Sequence, residues 1–180
     1  MGVCMKKVIG FCLLVLIGSL IFTSTAAAQN KHLRIGKIFA KEEANQLFGK
    51  PVFTIAVKKD LLKAAVAKAD KYILLSIKGK YPVILNDKRL PLLLENNISL
   101  QPDEKAFVFS KEVVEEFINS SISPIVYFEI RGISKEEATA KVTTATYGAN
   151  TIFSISDGYN TLELSTDCPP WCPECPPKCP

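Results

Sequence analysis

The body of this chain holds no cysteine. Of the six cysteines, Cys4 and Cys12 sit in an apolar N-terminal stretch, while Cys168, Cys172, Cys175 and Cys179 fall within residues 168–180. The residues between can form no disulfide, supply no cysteine nucleophile and offer no thiolate metal site. Imidazole is nearly as scarce. His32 is the only histidine, and it stands near the expected mature N-terminus, where chains are usually poorly ordered. A Ser-His-Asp or Cys-His arrangement therefore lacks a well-placed base. G-x-S-x-G, the P-loop, G-x-G-x-x-G and H-E-x-x-H are all missing. Carboxylate chemistry would have to use neighbours such as Asp103 and Glu104, or Glu136 and Glu137. Adjacent residues do not face each other on a helix and serve more naturally as solvated or capping groups. A carboxylate-based enzyme is thus the third of three functional readings.

Charge of one sign is lacking too. The chain has 22 basic against 18 acidic residues, interspersed rather than blocked, which gives no electrostatic footprint for nucleic acid.

What is present begins with an export signal. Lys6 and Lys7 precede an apolar run from Val8 to Phe22, and Thr23–Ala28 ends in small residues suited to signal peptidase. Cleavage after Ala28 is expected, so residues 1–28 are read as a signal peptide with no stable membrane anchor once it is removed; an uncleaved anchor is the alternative. The expected destination is secreted or periplasmic, an oxidising space.

Residues 29–166 are read as a single α+β domain, with a mainly antiparallel sheet and short helices on one side. An edge strand is expected at Leu33–Ile38 and a helix at Lys41–Phe48, stopped by Gly49 and Pro51. The segment Lys41–Pro51 resembles the helix-then-Gly-x-Pro openings of several small exported bacterial proteins, a likeness that marks a helix stop rather than a site. A strand Val52–Val57 follows, then a helix Leu61–Ala69 capped by Asp60. Strands Tyr72–Lys78, Tyr81–Leu85 and Leu90–Glu95 complete the first half, with Pro82 and Pro91 marking edge or bulged positions.

The second half repeats this order. Val108-Phe-Ser-Lys-Glu112 echoes Ile38-Phe-Ala-Lys-Glu42, and Pro124 opens the strand Ile125–Ile130 as Pro51 opens its counterpart. Ser134-Lys-Glu-Glu137 is a capping-box pattern for a very short helix, before strands at Lys141–Tyr147, Thr151–Ser156 and Thr161–Ser165. The result is an internally duplicated α-β-α-β-β-β unit, with half-repeats 31–95 and 105–166. Most phenylalanines occupy apolar positions of these elements. Tyr147 and Tyr159, near expected hairpin turns, are candidates for a partner surface.

Residues 167–180 form a Cys/Pro-rich tail in which every cysteine precedes a proline. Such residues avoid the helical region. In an extended polyproline form Cys172 and Cys175 would share a face about 9 Å apart, so a disulfide, which needs Cα atoms within about 7 Å, requires a sharp turn. Helix-activated redox chemistry at Cys172-Pro-Glu-Cys175 is blocked by Pro176 and Pro177. Four thiolates at Cys168, Cys172, Cys175 and Cys179 could hold zinc or copper, but the spacing lacks the long central loop of zinc ribbons. Disulfides suit the compartment best, within the tail or as a disulfide-linked homodimer. The leading functional expectation is an exported non-enzymatic binding or assembly protein acting on an unknown protein or envelope partner. A metal-handling protein that binds zinc or copper through the tail is the alternative.

Overall fold

The computed structural model describes residues 33–93, 98–101 and 103–163, and for the backbone alone 166–168. The expected signal peptide, Trp171, Cys172, Cys175 and Cys179 lie outside the described residues, as does the side chain of Cys168. In chain order the elements are β1 (Lys37–Ala40), α1 (Lys41–Phe48), β2 (Phe53–Lys58), α2 (Lys59–Lys68), β3 (Tyr72–Lys78), β4 (Tyr81–Asn86), β5 (Ala106–Ser110), α3 (Lys111–Ser120), β6 (Ile125–Arg131), α4 (Lys135–Thr144), β7 (Ile152–Ser156), β8 (Asn160–Glu163) and β9 (Thr166–Cys168). The class is α+β.

The strands make two antiparallel sheets, ordered β1-β8-β7-β6-β2 and β4-β3-β5-β9. Between them lies the main core. Ile73, Leu75 and Ile77 of β3, Phe107 and Phe109 of β5, Phe128 and Ile130 of β6, and Phe153 and Ile155 of β7 meet there with the buried stripes of α2, α3 and α4. Phe153 joins the sheets, stacking on Phe107 at 5.1 Å and meeting Phe128 edge-on at 5.4 Å. The alternate residues of β3 and β5, Tyr72, Leu74, Ala106 and Val108, form a smaller cluster on the opposite face with Ile35, Val83 and Leu85. Burial on both faces explains why β3 reads as a nearly unbroken apolar run.

The order β-α-β-α-β-β occurs twice, β1 to β4 and β5 to β8. Setting Pro51 against Pro124 aligns Ile55 with Phe128, and these two residues face each other in the β2–β6 ladder. A local two-fold relation therefore passes through equivalent strands. It breaks at the next pair: β7 pairs with β6, whereas its counterpart β3 leaves β2 and pairs with β5. A second reciprocity ties α2 to α3. Lys59, first residue of α2, donates from Nζ to the Ser121 carbonyl that caps α3, and Lys111, first residue of α3, donates to the Ala69 carbonyl that caps α2, at 2.9 and 2.7 Å. Each ammonium meets the negative end of the other helix.

Several local expectations need correction. Lys141–Tyr147 is not a strand; α4 runs ten residues to Thr144 rather than stopping early. Ser134 accepts from the Glu137 N–H as the capping pattern requires. Thr139 and Thr143 then donate to the carbonyls of Lys135 and Thr139 one turn back, so their hydroxyls find partners within the helix. Ala145, at φ 50, ends the helix in a left-handed turn. Leu90–Glu95 forms no described strand, only a bridge from Pro91 to Leu85. Asp60 does not cap α2: the helix starts at Lys59, two residues earlier than expected and directly from β2, and Asp60 sits in its first turn. The leading strand is Lys37–Ala40 rather than Leu33–Ile38. The helices are not all on one side, because α1 packs on the face of its sheet opposite the main core. At the other end, β9 pairs Cys168 with Ala106, so the sheet reaches past residue 166.

Candidate functional site

Charge inside the body concentrates beneath α1. Strand alternation puts Tyr127, Glu129 and Arg131 of β6 on the outer face of the larger sheet, beside Ser154 and Ser156 of β7 and Thr161 and Glu163 of β8. Arg131 is completely buried. Its Nε donates to Ser154 Oγ at 3.0 Å, one terminal nitrogen donates to Asn45 Oδ1 at 2.8 Å and the Gly49 carbonyl at 2.6 Å, and the other donates to Glu129 Oε2 at 2.5 Å. Glu163 Oε1 lies 3.7 Å from Arg131 Nε. Four of the five guanidinium N–H groups are thus committed, two of them to α1 and its stop. Phe48 adds an edge-on contact to Phe39 at 5.4 Å. This arrangement straps a helix to a polar sheet face, with the guanidinium donors committed to groups of the body itself.

The sequence-level acidic pairs are dispersed. Glu104 is buried and bonds Lys78 at 2.8 Å and the Gln101 N–H at 2.6 Å, whereas Asp103 is exposed. Glu136 and Glu137 stand exposed in the first turn of α4. Among the described residues, no three His, Cys, Asp or Glu side chains gather as a metal site. Cys168 is described only as backbone, paired with Ala106 in the smaller sheet; Cys172, Cys175 and Cys179 lie outside the described residues.

The two tyrosines part company. Tyr159 is 67 % exposed in the β7–β8 turn. Tyr147 is buried against Phe107 and donates to the Ile77 carbonyl, so its expected place on a partner surface is wrong. The left-handed Ala145 turns the chain back under β3. Burial pushes the Tyr147 phenol well above its ordinary value, with Glu104 adding to the rise and hydrogen bonds to Ser76 and Ile77 opposing it. Burial likewise raises Tyr72, aided by Glu112, and lowers Arg89, against the pull of Glu104.

One concavity lies along the α2–α3 seam. It encloses about 140 Å³ over the buried floor of Val66 and Ile118, with Lys63, Ala67, Glu115 and Asn119 as walls. That is well short of the several hundred Å³ of an ordinary small-molecule pocket.

The remaining candidate is the edge formed by β2. The edge strand β4 is bridged by the segment Leu90–Leu92, through Asn86 N–H to the Leu90 carbonyl and Leu92 N–H to the Ile84 carbonyl. β1 has four residues and β9 three. β2 has six and, among the described residues, is hydrogen-bonded as a strand to β6 alone. Lys59 N–H bonds the Pro124 carbonyl, and hydrogen-bonded pairs alternate along an antiparallel ladder. The backbone groups of Phe53, Ile55 and Val57 therefore point to β6, and those of Thr54 and Ala56, with the Lys58 N–H, point to the other edge; the Lys58 carbonyl, at the N-cap of α2, turns into the helix. The same three residues are exposed on the outer face, where Ala56 stands beside half-buried Tyr127.

Sequence reasoning missed the Arg131 cluster. Its signal was present: Glu129 and Arg131 stand two apart in an otherwise apolar strand, and Glu163 stands in another. No family model, curated protein or solved structure matches this chain.

Proposed function

We propose that this is an exported, non-enzymatic binding or assembly protein, secreted or periplasmic, whose body offers the β2 edge and adjoining sheet face to a protein partner. The observation that carries the reading is the row of exposed residues Thr54, Ala56 and Lys58 on a strand that, among the described residues, is paired on one side only. Unpaired strand edges are templates for other chains, and proteins ordinarily shorten or cover them. Here β4 is bridged and β1 and β9 are short, while β2 is long. The tail supplies a second element: it continues from β9, at the edge of the smaller sheet, and its cysteines form disulfides in an oxidising compartment.

Site-specific photo-crosslinking tests the reading. A photoreactive side chain at position 54 should yield one discrete adduct in the native cell envelope. The same group at position 159, where Tyr159 is 67 % exposed in the β7–β8 turn with β7 and β6 between it and β2, should yield none. Equal patterns from both positions would overturn the proposal. Intact mass of the exported protein should fall about 4 Da below the reduced chain, for two disulfides. A retained zinc or copper ion would favour the metal-handling alternative.

A further inference from the structure

The broken two-fold relation defines a vacant strand position. β6 carries β2 on one side and β7 on the other, whereas among the described residues β2 shares a ladder with β6 alone, and β4 only approaches it without pairing, because β3 has gone to the smaller sheet. Aligning Pro51 with Pro124 maps Thr54, Ala56 and Lys58 onto Tyr127, Glu129 and Arg131. These are the residues that face Ser156, Ser154 and Ile152 of β7, and ladder alternation gives Thr54 and Ala56 the same outward backbone groups as Tyr127 and Glu129, while Lys58 keeps its outward N–H and gives its carbonyl to α2. The free edge of β2 thus has the hydrogen-bonding phase that already accepts β7 on β6.

We propose that β2 accepts an antiparallel strand from a partner protein at this vacant position, with apolar residues opposite Ile55 and Val57, small polar residues opposite Thr54 and Ala56, and acidic residues at both ends. The proposal rests on the binding reading and names its partner chemistry. The apolar positions follow from β7, where Ile155 and Phe153 face Phe128 and Ile130, the counterparts of Ile55 and Val57. Ile55 and Phe53 are only partly buried, so their core-side surface has apolar area left to cover. The acidic ends follow from charge: exposed Lys50 and Lys58 flank the edge, which disfavours a second copy of β2 with the same lysines and favours carboxylates. Main-chain bonds supply affinity and alternate side chains supply selectivity, as in other strand additions.

The test uses the purified mature protein and a labelled peptide, Glu-Ile-Phe-Ser-Ile-Ser-Asp, whose last six residues copy 152–157 of this chain. Anisotropy should show saturable binding. N-methylation at its first Ile and both Ser residues, whose N–H groups would face β2, should weaken binding at least tenfold. N-methylation at Phe and the second Ile should change it less than twofold. Replacing the terminal acids with lysine should weaken it threefold or more at low salt. In the protein, Ala56→Pro removes an N–H that points away from β6, a position where proline is tolerated on an edge strand. It should abolish binding with an unchanged circular dichroism spectrum. The N-methyl peptides decide the matter if that variant misfolds. No binding, equal loss from both methylation sets, or full binding to a folded Ala56→Pro protein overturns the proposal. A position-54 adduct without peptide binding would leave the binding reading standing and sink only this partner chemistry.

Discussion

α1 and α3 both follow a strand with no loop between, and both begin Lys-Glu. α3 buries Val113, Val114, Phe117 and Ile118 in the main core. α1 fully buries Ala44 alone and is held through Asn45, Phe48 and Gly49 onto a polar sheet face. The hairpins diverge in the same way: β7–β8 stays in the sheet of its own half's β6, while β3–β4 departs to pair with β5. One order of elements thus has two packings, and the difference lies in where the apolar stripe runs. A helix with four buried apolar residues can enter a core. One with a single buried alanine needs a specific clasp, and the chain supplies a buried guanidinium.

The largest effect should follow from breaking that clasp. Arg131→Met removes every bond to Asn45, Gly49, Ser154 and Glu129 and leaves buried Glu129 and Glu163 without their cation. Losing one partner of a buried ion pair costs about 3–5 kcal/mol, read here from urea denaturation. A triple variant, Arg131→Met with Glu129→Gln and Glu163→Gln, should recover more than half of the loss, because no buried charge remains. A single Arg131→Met that costs under about 1 kcal/mol would remove the clasp from the comparison.

Next come the two helices themselves. Phe117→Ala leaves a cavity in the main core, where Phe117 is fully buried, and should cost about 3–5 kcal/mol. Phe48→Ala loses an edge-on ring contact at a half-buried position and should cost about 1 kcal/mol. Equal losses in urea midpoint would mean that α1 is as deeply integrated as α3, and the contrast between the halves would fail.

Much of this architecture was legible in the sequence, for local reasons. Gly49 and Pro51 stop α1, Pro124 opens β6 at Ile125, alternation found β2, and short apolar runs found β3, β6, β7 and β8. Failure came where local preference met tertiary context. The stretch Lys141–Tyr147 is β-branched enough to read as a strand, but the Ser134 cap upstream and the burial of Ala138 and Val142 decide for helix. Leu90–Glu95 has strand composition, yet its described part is drawn off to bridge β4. The candidate site was legible only in its parts. Glu129 and Arg131 show as charges in an apolar strand, but nothing near them in sequence names Asn45 or Glu163 as partners. The vacant edge depends on which strand leaves the repeat, and only the pairing of β3 with β5 reveals that.

The smallest predicted effect probes the joint between the halves. Tyr147 belongs to the second half, yet its hydroxyl donates to Ile77 of β3 in the first, beside Ser76. Its phenol is raised above the ordinary 10.0, chiefly by burial. For an acid with a raised folded-state pKa, the unfolded chain releases its proton first. Stability is therefore fully present below pH 10 and falls as pH rises beyond it, by about 1.4 kcal/mol per pH unit while the folded phenol stays neutral. Tyr72 shifts in the same direction and steepens the decline. Tyr147→Phe should cost about 1 kcal/mol at pH 7, since the Ile77 carbonyl loses its donor, but should reduce the alkaline slope measured by urea unfolding between about pH 9 and 11. Tyr159→Phe, at an exposed hydroxyl, should leave both quantities unchanged. If Tyr147→Phe kept the full alkaline slope, the phenol would have to ionise as readily in the folded protein as in the unfolded chain, and the clasp between the second half and β3 would be open in solution.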